Sequence, residues 1–262
     1  SVVISQVYGG GGNSGSMWKN DFVELHNRGN TAVDLAGWSV QYASATGSTW
    51  SSGNITALSG TIPPGGYYLV KGATGSGGTI DLPTPDATGT LTMSGVSGKV
   101  ALVASTTALS GACPDASLWK DFVGYGTANC FRGTGAAAGV TNTTSAIRKE
   151  SGCLDQGDNL LDFDNATPPI PRNSSVMGIT CAWANNESGA AEEMDLCAIV
   201  DPATLSATPG ATLGLVTGEV YEEGWTEAEG ANASLRAQFG VGPANRNPQY
   251  EAGWTFIDAT WV

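Results

Sequence analysis

Short runs of β-branched and aromatic residues recur along this chain, each closed off by a cluster of Gly, Pro, Asn or Asp. Residues 2–8 (VVISQVY), 21–27 (DFVELHN), 38–42 (WSVQY), 67–71 (YYLVK), 89–93 (GTLTM), 99–103 (KVALV) and 120–125 (KDFVGY) share this form. Alternation with a period of two suits strands, whereas helices return an apolar residue every three or four positions. The run 38–42 alternates most cleanly, with Trp38, Val40 and Tyr42 on one face. In 21–27 the pattern sets Phe22, Val23 or Leu25 against a core and leaves Glu24 outward or at an edge. Only Leu154 to Leu161 suits a helical turn or two. Regular short strands with glycine-rich punctuation predict an all-β fold of the sandwich kind.

Composition removes most other classes. Glycine accounts for 37 of the 262 residues, and charged residues for 13%, against about 25% in an average soluble protein. Eight tryptophans and an apolar share of 41% argue against disorder. A net charge of −13 repels phosphate backbones, so no nucleic acid is expected to bind through this chain alone. No run of 18 apolar residues occurs, and no membrane span is expected. The chain opens SVVISQVYGG, without Met and already strand-like, which suggests a processed amino terminus.

The acidity is unevenly placed. Residues 1–177 carry 12 acids and 9 bases, whereas residues 178–262 carry 12 acids and 2 bases, Arg236 and Arg246. Between them, NATPPIPRNSS (165–175) is rich in Pro, Asn and Ser and reads as a linker. The expected organisation is a domain over 1–175 and a smaller, acidic β domain over 176–262. In the second domain, 213–221, 233–242 and 253–262 read as strands. The last carries Trp254, Phe256, Trp261 and Val262, which are the candidate interface residues. A strand ending on Trp-Val wants a neighbour. Either the parent chain continues, or another chain supplies a missing last strand.

Residues with chemical potential are few. The single histidine, His26, lies in a strand pattern with no Gly-x-Ser-x-Gly turn anywhere, and reads as a strand-surface side chain. One histidine also cannot furnish the converging ligands of a two-metal phosphoesterase, and nothing singles out a glycosidase carboxylate pair. No catalytic constellation is expected. Gly9 to Gly12 lack the Lys and helix of a phosphate-binding loop, so a flexible surface loop is the plain reading. Asp155, Asp158 and Asp162 in LDQGDNLLDFDN form a candidate calcium cluster, although the spacing is not that of an EF-hand and a helix cap or Asx-turn serves equally. Glu219, Glu222, Glu223, Glu227 and Glu229 read as a solvated acidic turn. No cofactor is required by any of these patterns.

Five cysteines without a Cys-x-x-Cys pair point to disulfides in an oxidising compartment. Cys181 and Cys197 frame a loop of about 17 residues, whose closure is worth about 3 kcal/mol, and are expected to bond. Cys113, Cys130 and Cys153 then compete for the remaining bridge.

Several strings, in order, resemble a bacterial lamin-tail domain: VVISQVYGGGGNSG, NDFVELHNRGNTAVDLAGWSVQYASATG, PPGGYYLV, LPTPDATGTLTMSGVSGKVALV, DFVGYGTANCFRGTG, NTTSAIRKESGCLDQGDN and DFDNATPPIPRNS. The resemblance covers roughly residues 1–175. It implies an immunoglobulin-like β-sandwich without catalysis, serving as an accessory unit on secreted or surface proteins. Where relatives carry a TDTDNN-like run, this chain has LDQGDN (154–159), which weakens a metal role carried over from that run. Residues 213–262 look like a second β module of the kind that follows such domains.

The function expected is therefore a secreted or cell-surface, bacterial β-sandwich protein used for attachment or assembly. Its partners would be other protein chains, including copies of itself joined by strand exchange into a filament. Trp18 and Trp50 in loops, and the terminal strand, are the candidate contacts, while Trp38 and Trp254 read more readily as core. An alternative is the amino-terminal accessory region of a secreted nuclease or phosphoesterase, and a weaker one is a carbohydrate-binding module.

Overall fold

The structure, a computed structural model, describes residues 2–29, 31–179, 181, 196–201, 215–221, 238–241 and 255–260. In chain order the strands are β1 (Val2–Tyr8), β2 (Asn20–Asn27), β3 (Val33–Asp34), β4 (Ser39–Ser44), β5 (Ile55–Ala57), β6 (Thr61–Ile62), β7 (Tyr67–Thr74), β8 (Ala87–Thr88), β9 (Gly98–Val103), β10 (Asp121–Tyr125) and β11 (Ser145–Arg148). One turn of helix, α1 (Asn159–Asp162), precedes β12 (Phe163–Ala166), and β13 (Leu196–Asp201), β14 (Thr217–Tyr221), β15 (Gln238–Val241) and β16 (Thr255–Asp258) follow. The chain divides into two compact units, Ser1–Trp183 with Gln249–Glu251, and Ala184–Pro248 with Ala252–Val262.

The larger unit is a sandwich. One sheet runs β12-β11-β1-β2-β7-β8 and the other β10-β9-β4-β5. Val2, Ile4 and Val7 of β1, Val23 and Leu25 of β2, and Tyr68 and Val70 of β7 meet Val40, Tyr42, Val100, Leu102, Val123 and Tyr125 of the facing sheet. The broken alternation of VVISQVY has a cause: the register between β1 and β2 shifts between Ile4 and Gln6. A bulge lets Ile4 and Val7, three apart, point to the same side.

Every residue of β1 and β2 is buried, because the outer face of their sheet is covered as well. Tyr8, Phe22 and Leu69 form a small second core there with Trp18 and Leu82. The opposite sheet is likewise backed by Ala43, Trp50, Ala101, Val103, Leu109, Phe122 and Cys130. Trp50 is thus a core residue at 2% exposure, not a free loop aromatic, and its indole N–H donates to Gly111 O. Trp18 is half-buried with its N–H on Pro169 O, and Trp38 packs at the core margin.

Two segments depart from the sequence reading for the same reason, close packing of backbone. The glycine run is not a loose loop. A Cβ on Gly9 would lie 2.2 Å from Ser94 O, and one on Gly11 1.9 Å from the Asn20 carbonyl carbon, so only glycine allows the approach. Residues 89–93 form no strand. Their backbone bonds β7 only at Gly89 N–H to Lys71 O and Ala73 N–H to Leu91 O, and is tied by side chains beyond that, Thr92 N–H to Asn54 Oδ1 and Met93 N–H to Asp21 Oδ2. Asp21 also accepts from Gly11 N–H at 3.0 Å, which joins the glycine run to this segment.

The Pro/Asn/Ser-rich run is not a free linker either. After β12, residues 167–179 lie across the outer face of the six-stranded sheet as a strap. Gln6 donates to Ile170 O, Arg172 binds Glu24, Asn173 donates to Thr84 O, Ser174 bonds Asp86, and Ile179 N–H donates to Gly65 O. Prolines suit a segment whose hydrogen bonds go to side chains rather than to a ladder.

In the smaller unit the described residues form two ribbons, β13 with β14 and β15 with β16, both antiparallel. They take up part of the expected strands 213–221, 233–242 and 253–262.

Candidate functional site

The polar side chains of the sandwich converge at two places under the strap and the α1 loop. The first begins with Arg148, the last residue of β11 and fully buried. A buried guanidinium requires acceptors for all its donors. Its Nε donates to Ile4 O at 2.9 Å, Nη2 to Asp121 Oδ2 at 2.7 Å, and Nη1 to Leu154 O and Asp162, while its plane lies 4.6 Å from the Phe163 ring centre. Asp121, which begins β10, also accepts from Ile4 N–H at 2.8 Å, beside the bulge. One carboxylate therefore joins the two sheets. Arg132 binds both Asp121 and Asp155, and Arg28 reaches Asp155 at 3.1 Å and Cys153 O at 2.7 Å. Burial works against the charge of Arg132, but Asp121 and Asp155 outweigh it and hold its pKa above the ordinary value. For Arg28 burial prevails and lowers the pKa despite Asp155.

This arrangement revises the calcium reading. Asp155 is paired with Arg28, Arg132 and Arg148. Asp158 caps α1, accepting from Leu160 N–H, and from the N–H and hydroxyl of Thr134. Asp162 accepts from the N–H groups of Gln156 and Asp158 and from Arg148. The three carboxylates are shared among arginines and backbone donors and do not converge as an oxygen cage. Sequence reading missed the arginines. Their signal was a cation inside an apolar strand pattern, SAIR, which only carboxylates elsewhere in the chain can neutralise.

The second cluster lies on the outer face of β2. Glu24 is buried, not outward, because the strap covers it. It accepts from Ser5 Oγ at 2.6 Å, from the backbone N–H of Arg172 at 2.7 Å, and from the guanidinium of Arg172 at 2.7 Å. Burial opposes the charge of Arg172, yet Glu24 and the Tyr67 hydroxyl raise its pKa overall. Arg172 lies 3.9 Å over the Tyr67 ring, which in turn stacks on His26 at 4.6 Å. His26 is fully buried rather than on a strand surface. Its Nε2 sits 3.1 Å from Gly65 O and 3.0 Å from Ile179 O, so that nitrogen carries the proton. Burial lowers the pKa of the ring and keeps it neutral. The Ser5 hydroxyl serves Glu24 and the histidine serves backbone carbonyls, so these three residues do not form the relay of a hydrolase.

The cysteines pair as Cys113–Cys130 and Cys153–Cys181. This overturns the expected Cys181–Cys197 bridge. Sequence proximity favoured the short loop, but the strap carries Cys181 back to the turn after β11, where Cys153 waits. Cys197 lies in β13.

Of the interface candidates, Phe256 lies in β16 opposite Gly240. Trp254, Trp261 and Val262 lie outside the described residues. Apolar side chains are exposed in both ribbons and beside β14: Val200 at 56%, Leu215 at 86% and Ile257 at 62%, with Val241 also exposed. Glu219 is exposed in β14, as a solvated acidic residue should be, and Glu222, Glu223, Glu227 and Glu229 lie outside the described residues. Among the described residues no helix is long and apolar enough to cross a membrane.

Two mainly antiparallel sheets face to face, with covered outer faces, define an immunoglobulin-like β-sandwich. Residues 1–126 match the model of the lamin tail domain family. A solved structure of a DUF4876 family protein from Bacteroides thetaiotaomicron is similar at a TM-score of 0.44 and 12% identity, covering 70% of this chain and 74% of that one. No curated protein matches.

Proposed function

We propose that this protein is a secreted or cell-surface attachment module in which the lamin-tail sandwich is the rigid body and the smaller unit engages other protein chains by strand addition. The observation that carries this reading is the pair of two-stranded ribbons exposing Val200, Val241 and Ile257, with Leu215 exposed just before β14. An isolated two-stranded ribbon is marginal in water. It gains most from a further strand that satisfies its edge and covers its apolar face. The partner in this reading is a second copy, so that strand exchange propagates into a filament. Two disulfides support an oxidising, extracellular setting.

Light scattering across a wide concentration range tests this reading. Self-association with a gain in strand signal is expected. A monomer at every concentration, with unchanged circular dichroism, overturns assembly between copies. Capture of the chain by intact bacterial surfaces would then separate attachment to a different partner from no surface role at all.

A further inference from the structure

We propose that His26, Cys153 and Cys181 form a second-state binding site for a thiophilic d10 metal ion of the zinc class, available when the Cys153–Cys181 disulfide is reduced. The three ligand atoms lie within 4.8 Å of one another, and all three residues are buried. Zinc and similar ions take imidazole nitrogen and thiolate sulfur in compact sites, commonly with three protein ligands and a water in the fourth position. The histidine is oriented for this role. Its Nε2–H is held between Gly65 O and Ile179 O, and Nδ1 faces Cys181 Sγ at 3.9 Å. Metal-binding histidines are oriented in the same way, with the far ring nitrogen donating to a carbonyl. Gly152 keeps the ring in place. At a φ of +103° it bears no side chain, and a Cβ there would come within 2.9 Å of Nδ1.

The chemistry balances with a dithiol as reductant. The dithiol becomes a cyclic disulfide, and the two electrons and two protons it gives up convert the cystine into two thiols. The incoming Zn2+ displaces both thiol protons to solvent, forms two Zn–S bonds and accepts the Nδ1 lone pair. Two thiolates neutralise the ion, which suits a buried site. Disulfide and metal are thus alternative fastenings for the end of the strap, each joining Cys181 to Cys153 and the metal also to His26.

The test uses the full chain with Cys113→Ser, Cys130→Ser and Cys197→Ser, reduced by a phosphine that leaves no competing thiol. Added Co2+ should give a single equivalent of thiolate-to-metal charge-transfer absorption that Zn2+ bleaches, and the oxidised protein should give none. His26→Gln should weaken Zn2+ binding by more than about tenfold. In reduced wild type, Zn2+ should protect Cys153 and Cys181 from alkylation, a reading that does not depend on the triple variant folding. Absence of both the absorption and the protection overturns the site. So does a His26→Gln protein that binds with unchanged affinity and spectrum, since the cysteines would then act alone.

Discussion

The sandwich and the ribbons of the smaller unit solve the same problem in opposite ways. In the sandwich, strands β1 and β2 are buried along their whole length, because loops and the strap cover the outer face that an antiparallel sheet commonly leaves to water. Its buried charges are matched within the chain, Arg148 by Asp121 and Asp162, and Arg172 by Glu24. The ribbons leave Val200 and Ile257 mostly exposed. A unit that closes its own surfaces behaves as a body, and one that leaves apolar surface open is suited to acquiring a partner.

The comparison breaks first at Arg148. Arg148→Met removes the guanidinium that ties Ile4 O to Asp121 and Asp162, leaving buried Asp162 to backbone donors and Asp121 to Arg132 and the Ile4 N–H. A loss of about 3–5 kcal/mol is expected in denaturant unfolding of the sandwich. A loss below about 1 kcal/mol would show that water reaches this cluster, and that the closed character of the sandwich is overstated.

Next comes the strap. Cys153→Ser with Cys181→Ser opens a loop of 28 residues, which should cost about 3–4 kcal/mol. Hydrogen exchange should speed up at Ile179, whose N–H is bonded to Gly65 O, before it does in β1 or β2. Uniform acceleration across the sheet would mean that strap and sandwich open together.

A comparable effect, spread over a pH window, is expected at Asp21. Burial pushes its pKa up to about 7, against the two backbone N–H groups of Met93 and Gly11 that favour the carboxylate. The folded protein then holds a proton that the unfolded chain gives up near pH 4. This contribution is fully present below pH 4 and is lost as the pH rises to about 7, at a slope approaching about 1.4 kcal/mol per pH unit. Asp21→Asn should therefore gain stability relative to wild type as the pH rises through that window, measured as the difference between two unfolding curves. A constant difference from pH 4 to 8 would place Asp21 in contact with solvent.

The smallest effect on folding is expected in the ribbons. Ile257→Ser should change the unfolding of the sandwich by less than about 0.5 kcal/mol, while reducing any self-association seen by light scattering. A large loss of stability would mean that this side chain is covered within the chain.

Much of the sandwich was legible because burial on the core face imposes a period of two that residue types alone reveal. Val23, Leu25, Val40, Val100, Leu102 and Val123 could be placed on strands without a partner in view. The outer face was not legible. Glu24 read as outward or at an edge and His26 as strand-surface, since nothing in DFVELHN says that residues some 150 positions later return to cover them. The cysteines failed likewise. Loop length ranked Cys181 with Cys197, whereas the strap decided for Cys153. Of the aspartates around α1 that read as a candidate calcium cluster, Asp155 and Asp162 pair with Arg28, Arg132 and Arg148, which no local pattern linked to them.

By itself the sequence determined an all-β chain with a lamin-tail amino-terminal domain, oxidised cysteines and an acidity concentrated in its last third. These follow from local preference and from composition, which act over a few residues or over the whole chain at once. Tertiary structure alone decided which charges face each other, which cysteines bond, and that a proline-rich run is a strap. Those outcomes depend on contacts between distant segments, and only the folded backbone brings such segments together.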